Sequence, residues 1–341
     1  MQAVVLTRKG KAAQAFEIQT RPDLEPKANE LLIKVEAFGL NFADVVARLG
    51  KYPDAPPMPS VLGYEVVGRI EKIGANVSNL EFGALGQRVL AFTRFGGYAT
   101  QVLVTADACV SIPEDMDAGV ATALCVQYCT AYYAAAYVTN LHPGEHVLVQ
   151  SAAGGVGTAL VQIAKNKGCV VYGTAGSDKK LEYLRELGVD VPINYEKDDF
   201  AEIISKKAPN GRLDAAFDAV GGKSVKKGFK LLRAGGRLVC YGASGMSQKG
   251  LFGTLKTAWE FGLYSPISLM MSSKSLLGVN MLHVADASPQ VLKQCLLAVV
   301  ELAQQGIAQP TVDGVYPIAQ LAEAHEKLEF RKTIGKVAVR W

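Results

Sequence analysis

The chain has 341 residues, 49% hydrophobic and 20% charged, a composition that suits a globular protein with room for two cores. Its formal net charge of +4 is small and its lysines are scattered, so nucleic acid is not an expected partner. The six cysteines, Cys109, Cys125, Cys129, Cys169, Cys240 and Cys295, form no close-spaced framework, and no charged-then-apolar leader follows Met1, which points to a reducing, cytoplasmic compartment.

Residues 1–121 are punctuated by Pro and Gly and carry short apolar or alternating runs, at 3–6, 30–35, 66–73, 87–91 and 98–104, each expected to be a strand of a β-rich, partly closed domain. Ala118 to Val138 has no charged residue and is long enough to cross a bilayer, but it is rich in Ala, Tyr, Thr and Cys and includes Gln127. It reads as a buried helix leading into a second domain. From about 122 strands alternate with helices: 146–150, 169–174, 191–194, 214–219, 236–241 and 275–280 as strands, with helices such as 178–187 and 223–232 between them. That alternation is the doubly wound α/β pattern, expected over 122–284. A helix at 290–304 and a short β-like tail at 336–339 follow. The tail has no partner of its own and is expected to rejoin the first domain's sheet, giving 1–121 with 285–341 as one domain.

Between the strand at 146–150 and the helical run from Thr158 lies Ser151-Ala152-Ala153-Gly154-Gly155-Val156-Gly157. A strand, a glycine turn and a helix start are the context of a dinucleotide-binding loop, with Ala152 in place of the first glycine. Gly154 lets backbone approach a pyrophosphate, Gly157 permits close helix packing, and Ala153, Gly155 and Val156 complete a turn whose N–H groups face the phosphates. A loop for NAD is normally followed about 20 residues on by an acid for the ribose hydroxyl. Here the next strand ends in Ala175 and Gly176, followed by Ser177 and Lys180, a hydroxyl and a cation suited to a 2′-phosphate, which favours NADPH. The same residues also make an ordinary helix start with Ser177 as N-cap and Asp178 beside it.

Together with Gly39-Leu40-Asn41-Phe42-Ala43-Asp44, Gly50-Lys51-Tyr52, Thr130-Ala131-Tyr132, Gly173-Thr174-Ala175, Asn194-Tyr195, Gly221-Gly222 and Ile334-Gly335-Lys336-Val337, this loop gives the chain its likeness to a known family. Over nearly its whole length it resembles the medium-chain dehydrogenase/reductases, among them the zinc-free quinone oxidoreductase (zeta-crystallin) group and the synaptic vesicle VAT-1-like proteins. The resemblance implies a GroES-like catalytic domain joined to a Rossmann domain, with NADPH in the cleft between them. It also implies a homodimer through the last nucleotide-domain strand, Ser275 to Asn280. Carried over residue by residue, it places Thr130 near the nicotinamide, Ser177, Lys180 and Tyr195 around the adenosine phosphate, Gly242, Ala243 and Ser244 at the cofactor's edge, and Gly278 and Val279 on the nicotinamide side. Lys336 is expected to reach the cofactor from the tail.

Zinc alcohol dehydrogenases of that superfamily place a Cys near position 41 and a Gly-His-Glu near 63–65, whereas this chain has Asn41 and Gly63-Tyr64-Glu65 and no cysteine before Cys109. No zinc site is expected. His142 and His146 straddle Pro143-Gly144 and cannot share a helix face. Without a Lewis acid, hydride transfer suits an electron-poor acceptor, a quinone or an alkene conjugated to a carbonyl, with a hydrogen-bond donor where charge grows on oxygen. Asn41 and Tyr52 are the candidate donors, with Asn41 as cofactor contact too. Asp44 reads as the N-cap of the helix that follows. The apolar stretch 250–273 departs from simpler quinone reductases; it reads as a lid, a dimer-seam helix, or a partner- or membrane-facing patch. A nucleotide-binding interaction protein that keeps the reductase fold is thus the second hypothesis, and a zinc alcohol dehydrogenase the third.

Overall fold

The computed structural model describes residues 1–77, 84–246 and 259–341, which form two compact units, Met1–Cys129 with Met281–Trp341, and Thr130–Asn280. The junctions at 129/130 and 280/281 differ from the expected 121/122 and 284/285. In the first unit Cys125, Cys129, Met281 and Cys295 are all buried, so the residues on either side of the expected boundaries pack as core.

The first unit is built on strands β1 (Gln2–Leu6), β2 (Phe16–Thr20), β3 (Glu30–Leu40), β4 (Ser60–Val61), β5 (Glu65–Ile73), β6 (Arg88–Phe92), β7 (Gln101–Thr105) and β8 (Cys109–Ser111). A small sheet has the order β2-β1-β4. In the larger one β3 pairs antiparallel with β5, β5 with β6 and β6 with β8, while β7 covers the first half of β3. The second half of β3 is covered by the returning tail, in which β16 (Lys336–Arg340) pairs antiparallel with β3 and parallel with β15 (Val312–Pro317), so the tail completes the sheet as expected. Ile33, Phe38, Leu40, Val66, Ile70, Val89, Tyr98, Val337 and Val339 meet in one core.

In the second unit β9 (His146–Val149), β10 (Val170–Ala175), β11 (Val191–Asn194), β12 (Leu213–Asp218), β13 (Leu232–Cys240) and β14 (Ser275–Gly278) form a six-stranded parallel sheet in the order β11-β10-β9-β12-β13-β14 among the described residues. The reversal between β9 and β12 is the switch point of a doubly wound fold. Leu148, Tyr172, Ile193, Ile204, Leu213, Val225 and Leu238 fill one face.

The uncharged run is helical but not uniform: an α-helix at Ala118–Ala123, capped by Asp117 accepting from the Val120 N–H at 3.0 Å, gives way to π-helical turns at Leu124–Tyr128 and Tyr133–Val138. Among the described residues no helix is long and apolar enough to cross a membrane. Residues 250–258 of the apolar stretch lie outside the described residues. The remainder includes a short helix, Pro266–Ser272, with Ile267, Met270 and Met271 exposed, and Trp259 and Leu263 beside it are exposed as well.

Candidate functional site

In the first unit, chain direction brings three strand ends together. Because β3 runs antiparallel to both β5 and β16, its last residues lie beside the first residues of each, which places Asn41, Glu65 and Lys336 side by side. Glu65 and Lys336 are fully buried and Asn41 nearly so. The Lys336 ammonium donates to Glu65 Oε1, in a close contact, and to Asn41 Oδ1 at 3.2 Å. Asn41 Nδ2 donates to Glu65 Oε1 at 2.7 Å, and the Val126 backbone N–H donates to Glu65 Oε2 at 2.7 Å. Gly39 leaves the room for this pair: a Cβ there would fall 2.2 Å from Glu65 Oε1 and 2.4 Å from Lys336 Cε. The Asn41 amide is therefore fixed in rotamer and face, with one N–H left over. Lys336, expected at the cofactor, has these two buried partners for its ammonium.

The helix Phe42–Arg48 starts at Asn41, which is its N-cap; Asp44, expected to cap, stands at the third helical position and accepts from the Asn41 N–H at 2.8 Å and the Gly63 N–H at 3.2 Å. The reason is the extended backbone of Asn41, which follows β3 directly and lets the helix begin one turn earlier than the pattern suggested. Asp44 is fully buried, and burial pushes its carboxyl up to about 7, against the opposing pull of its hydrogen bonds and of Lys336.

Tyr52 is half-buried and its ring stands edge-on to Tyr64, centroids 6.3 Å apart. Tyr64 occupies the position where a histidine would serve a zinc enzyme. It is 3% exposed, and burial raises its phenol above the ordinary value. Phe95 packs on its other neighbour side at 5.1 Å. Among the described residues no group of three or more His, Cys, Asp or Glu is placed to hold a metal ion.

In the second unit the glycine loop joins β9 to the helix Gly155–Asn166, with Gly154 as its N-cap. Gly155, Val156 and Gly157 form its first turn, whose N–H groups have no carbonyl one turn back. A Cβ on Gly157 would lie 2.3 Å from the Ser151 carbonyl oxygen, so glycine is what lets the helix sit on the turn. Ala153 is buried beneath. One feature escaped the sequence: Ser151 has φ 55°, a left-handed turn residue that is not glycine, and its N–H is fixed by Thr174 Oγ1 at 3.1 Å.

At the end of β10, Ser177 caps the helix Asp178–Glu186, accepting from the Lys180 N–H at 3.4 Å. Asp178 is turned to Lys197, 2.8 Å away, and to Asn194 Nδ2 at 3.2 Å. Its carboxyl is thus neutralised by a cation. Tyr195 is partly exposed and its hydroxyl lies over Gly176. Lys180 follows in the same first turn, so a hydroxyl, a phenol and an ammonium occur where the strand carries no acid. Thr130 is buried. Gly242, Ala243 and Ser244 follow β13 at the sheet's carboxyl edge, Ser244 N–H donating to the Ala219 carbonyl at 3.0 Å; Gly278 ends β14 and Val279 follows it, its N–H donating to the Cys240 carbonyl at 2.9 Å. Asp218, at the end of β12, accepts from the N–H groups of Val220 and Gly221 at 2.8 and 2.7 Å and from Ser224 Oγ at 2.5 Å. Sequence reasoning carried Gly221-Gly222 but not the aspartate that folds this turn.

These groups fit a phosphorylated dinucleotide: first-turn N–H groups at a switch-point helix, a close glycine approach, and no free carboxylate at the ribose position. Two family descriptions match the chain, alcohol dehydrogenase GroES-like domain over residues 27–114 and zinc-binding dehydrogenase over residues 155–297. The chain belongs to the medium-chain dehydrogenase/reductase family of oxidoreductases. It is similar to the human synaptic vesicle membrane protein VAT-1 homolog, 33% identical over 343 residues, covering 99% of this chain and 86% of that one. Among solved structures, mycobacterial Rv1454c complexed with NADPH superposes with TM-score 0.87 at 28% identity over 100% of both chains. The CurK enoyl reductase does so with TM-score 0.85 at 26% identity over 99% of this chain and 98% of that one.

Proposed function

We propose that this chain is an NADPH-dependent, zinc-independent reductase of quinones or of alkenes conjugated to a carbonyl. The observation that carries the reading is the Asn41–Glu65–Lys336 cluster: a buried ammonium stands on the one carboxylate that a metal would need. A divalent cation bound to Glu65 would meet that ammonium at close range, and two positive charges in so dry a place repel strongly. Zinc alcohol dehydrogenase chemistry therefore finds no donor set here. A nicotinamide cofactor supplies hydride when bound.

The second unit provides the groups to hold it: the first turn of Gly155–Asn166 for the pyrophosphate, and Ser177, Lys180 and Tyr195 for the 2′-phosphate. That Rv1454c, a structural relative, was crystallised with NADPH supports this choice. In the first unit Asn41, with its remaining N–H, and half-buried Tyr52 are the donors for an acceptor. Hydride adds to the acceptor carbon while an electron pair shifts to oxygen, and a fixed amide N–H stabilises that charge without reorganising. The proton that completes the product comes from solvent. Relatedness to an enoyl reductase supports a conjugated acceptor. A homodimer through β14, whose outer edge is unpaired among the described residues, belongs to the same proposal.

The test is oxidation of NADPH by a panel of ortho- and para-quinones and 2-alkenals. Turnover with NADPH, and far less with NADH, is the expected result; tight NADPH binding without turnover of any acceptor would favour a nucleotide-binding interaction protein instead. Stoichiometric zinc in the active protein would overturn the metal-free reading.

A further inference from the structure

Tyr64 is the strongest unexplained group in the first unit. Its hydroxyl is buried and has no hydrogen-bond partner among the described residues. A buried unpaired hydroxyl is costly, and native proteins retain few without a reason. Its ring touches two half-buried aromatics, Tyr52 edge-on and Phe95 tilted at 52°. Phe95 is itself held at φ 67°, a left-handed conformation unfavourable for a bulky side chain. The turn around it is pinned by two hydrogen bonds, Gly96 N–H donating to the Val61 carbonyl at 3.0 Å and Thr93 Oγ1 to the Gly63 carbonyl at 2.8 Å. Strained backbone thus keeps an aromatic ring against a tyrosine whose hydroxyl has no partner among the described residues. Two ion pairs flank the same segments: Arg94 with Asp286 at 3.1 Å and His283 with Asp54 at 3.2 Å.

We propose that the Tyr64 hydroxyl donates a hydrogen bond to the carbonyl oxygen of the acceptor, with Tyr52 and Phe95 gripping the acceptor's flat face. This rests on the reductase reading and deepens it. Three rings select a planar conjugated molecule over a saturated ketone, and a hydroxyl without a partner among the described residues gains one when that molecule arrives.

Tyr64→Phe removes the hydroxyl and keeps the ring. Binding of menadione to the cofactor-free protein, read by quenching of intrinsic fluorescence, is expected to weaken at least tenfold. kcat/KM for menadione should fall by a similar factor while the Kd for NADPH stays unchanged. Thermal stability should hold or rise, because an unpaired hydroxyl is replaced by hydrogen. A variant that binds menadione within twofold of wild type, or that melts several degrees lower because the hydroxyl is bonded within the protein, would overturn the assignment. Menadione binding that depends on Tyr64 in a wild type that turns over no acceptor would retain the site and sink the reductase reading.

Discussion

Replacing Lys336 with Met tests the buried pair most sharply. The ammonium and the Glu65 carboxylate are both without solvent exposure, so the variant leaves a buried negative charge to the hydrogen bonds from Asn41 Nδ2 and the Val126 N–H. Removing one partner of a buried ion pair costs about 3–5 kcal/mol. With unfolding entropy of roughly 2.1 cal/mol/K per residue, that loss lowers the melting temperature of a unit of this size by about 8–12 °C. The double variant Lys336→Met/Glu65→Gln removes the stranded charge, keeps an acceptor for Val126, and should recover more than half of the loss. Differential scanning calorimetry of wild type, both single variants and the double variant provides the cycle. A Lys336→Met protein that melts within a degree of wild type, or a double variant no more stable than the single one, would refute the buried-pair account.

Two further predictions concern charge. His325 is fully buried against Tyr98 Oη at 3.1 Å, and burial pulls its imidazole down to about 3 from 6.5. The unfolded chain takes up that proton first, so this contribution to stability is present above about pH 6.5 and is lost as pH falls towards 3. Asp44 is opposite: raised from 3.8 to about 7, it contributes stability at low pH that is lost as pH rises through that range. Between about pH 4 and 6.5 each changes stability by roughly 1.4 kcal/mol per pH unit and the two cancel. In His325→Gln only the Asp44 slope remains, so the gap between wild type and variant in urea denaturation should widen with rising pH; parallel curves would contradict it. Lys180→Ala should weaken NADPH binding by about ten- to a hundredfold, the worth of one charge-assisted contact, and leave NADH unchanged. Equal weakening of both cofactors, measured by fluorescence titration, would remove Lys180 from the 2′-phosphate.

The nucleotide unit was legible in the sequence because its signals are local. Glycine at 157, apolar runs of strand length and helix-starting Ser177 each act within a few residues, and β9 to β14 lie within a few residues of where the pattern put them. The first unit's cluster was not legible, since Asn41, Glu65 and Lys336 are far apart in sequence and meet only through the register of β3 with β5 and β16. The family resemblance directs Lys336 to the cofactor, and no local pattern around it reports the carboxylate it meets; the crowding at Gly39, which leaves no room for a Cβ beside the pair, is visible only in the fold. Asp44 and Tyr64 differ from their sequence reading for a related reason: what sets them apart is burial, which periodicity near a helix start does not report. Asp178 is a further case. It stands beside the N-cap in the sequence, and its ion pair with Lys197, further along the chain, appears only in the fold.

Tracing the hydride tests the central claim most directly. With NADPH carrying deuterium at the transferred position and a 2-alkenal as acceptor, the account predicts a saturated aldehyde bearing deuterium on the carbon β to the carbonyl, seen by mass spectrometry after one turnover. Deuterium on the carbonyl carbon, in an alcohol product, would contradict it and return the chain to alcohol dehydrogenase chemistry.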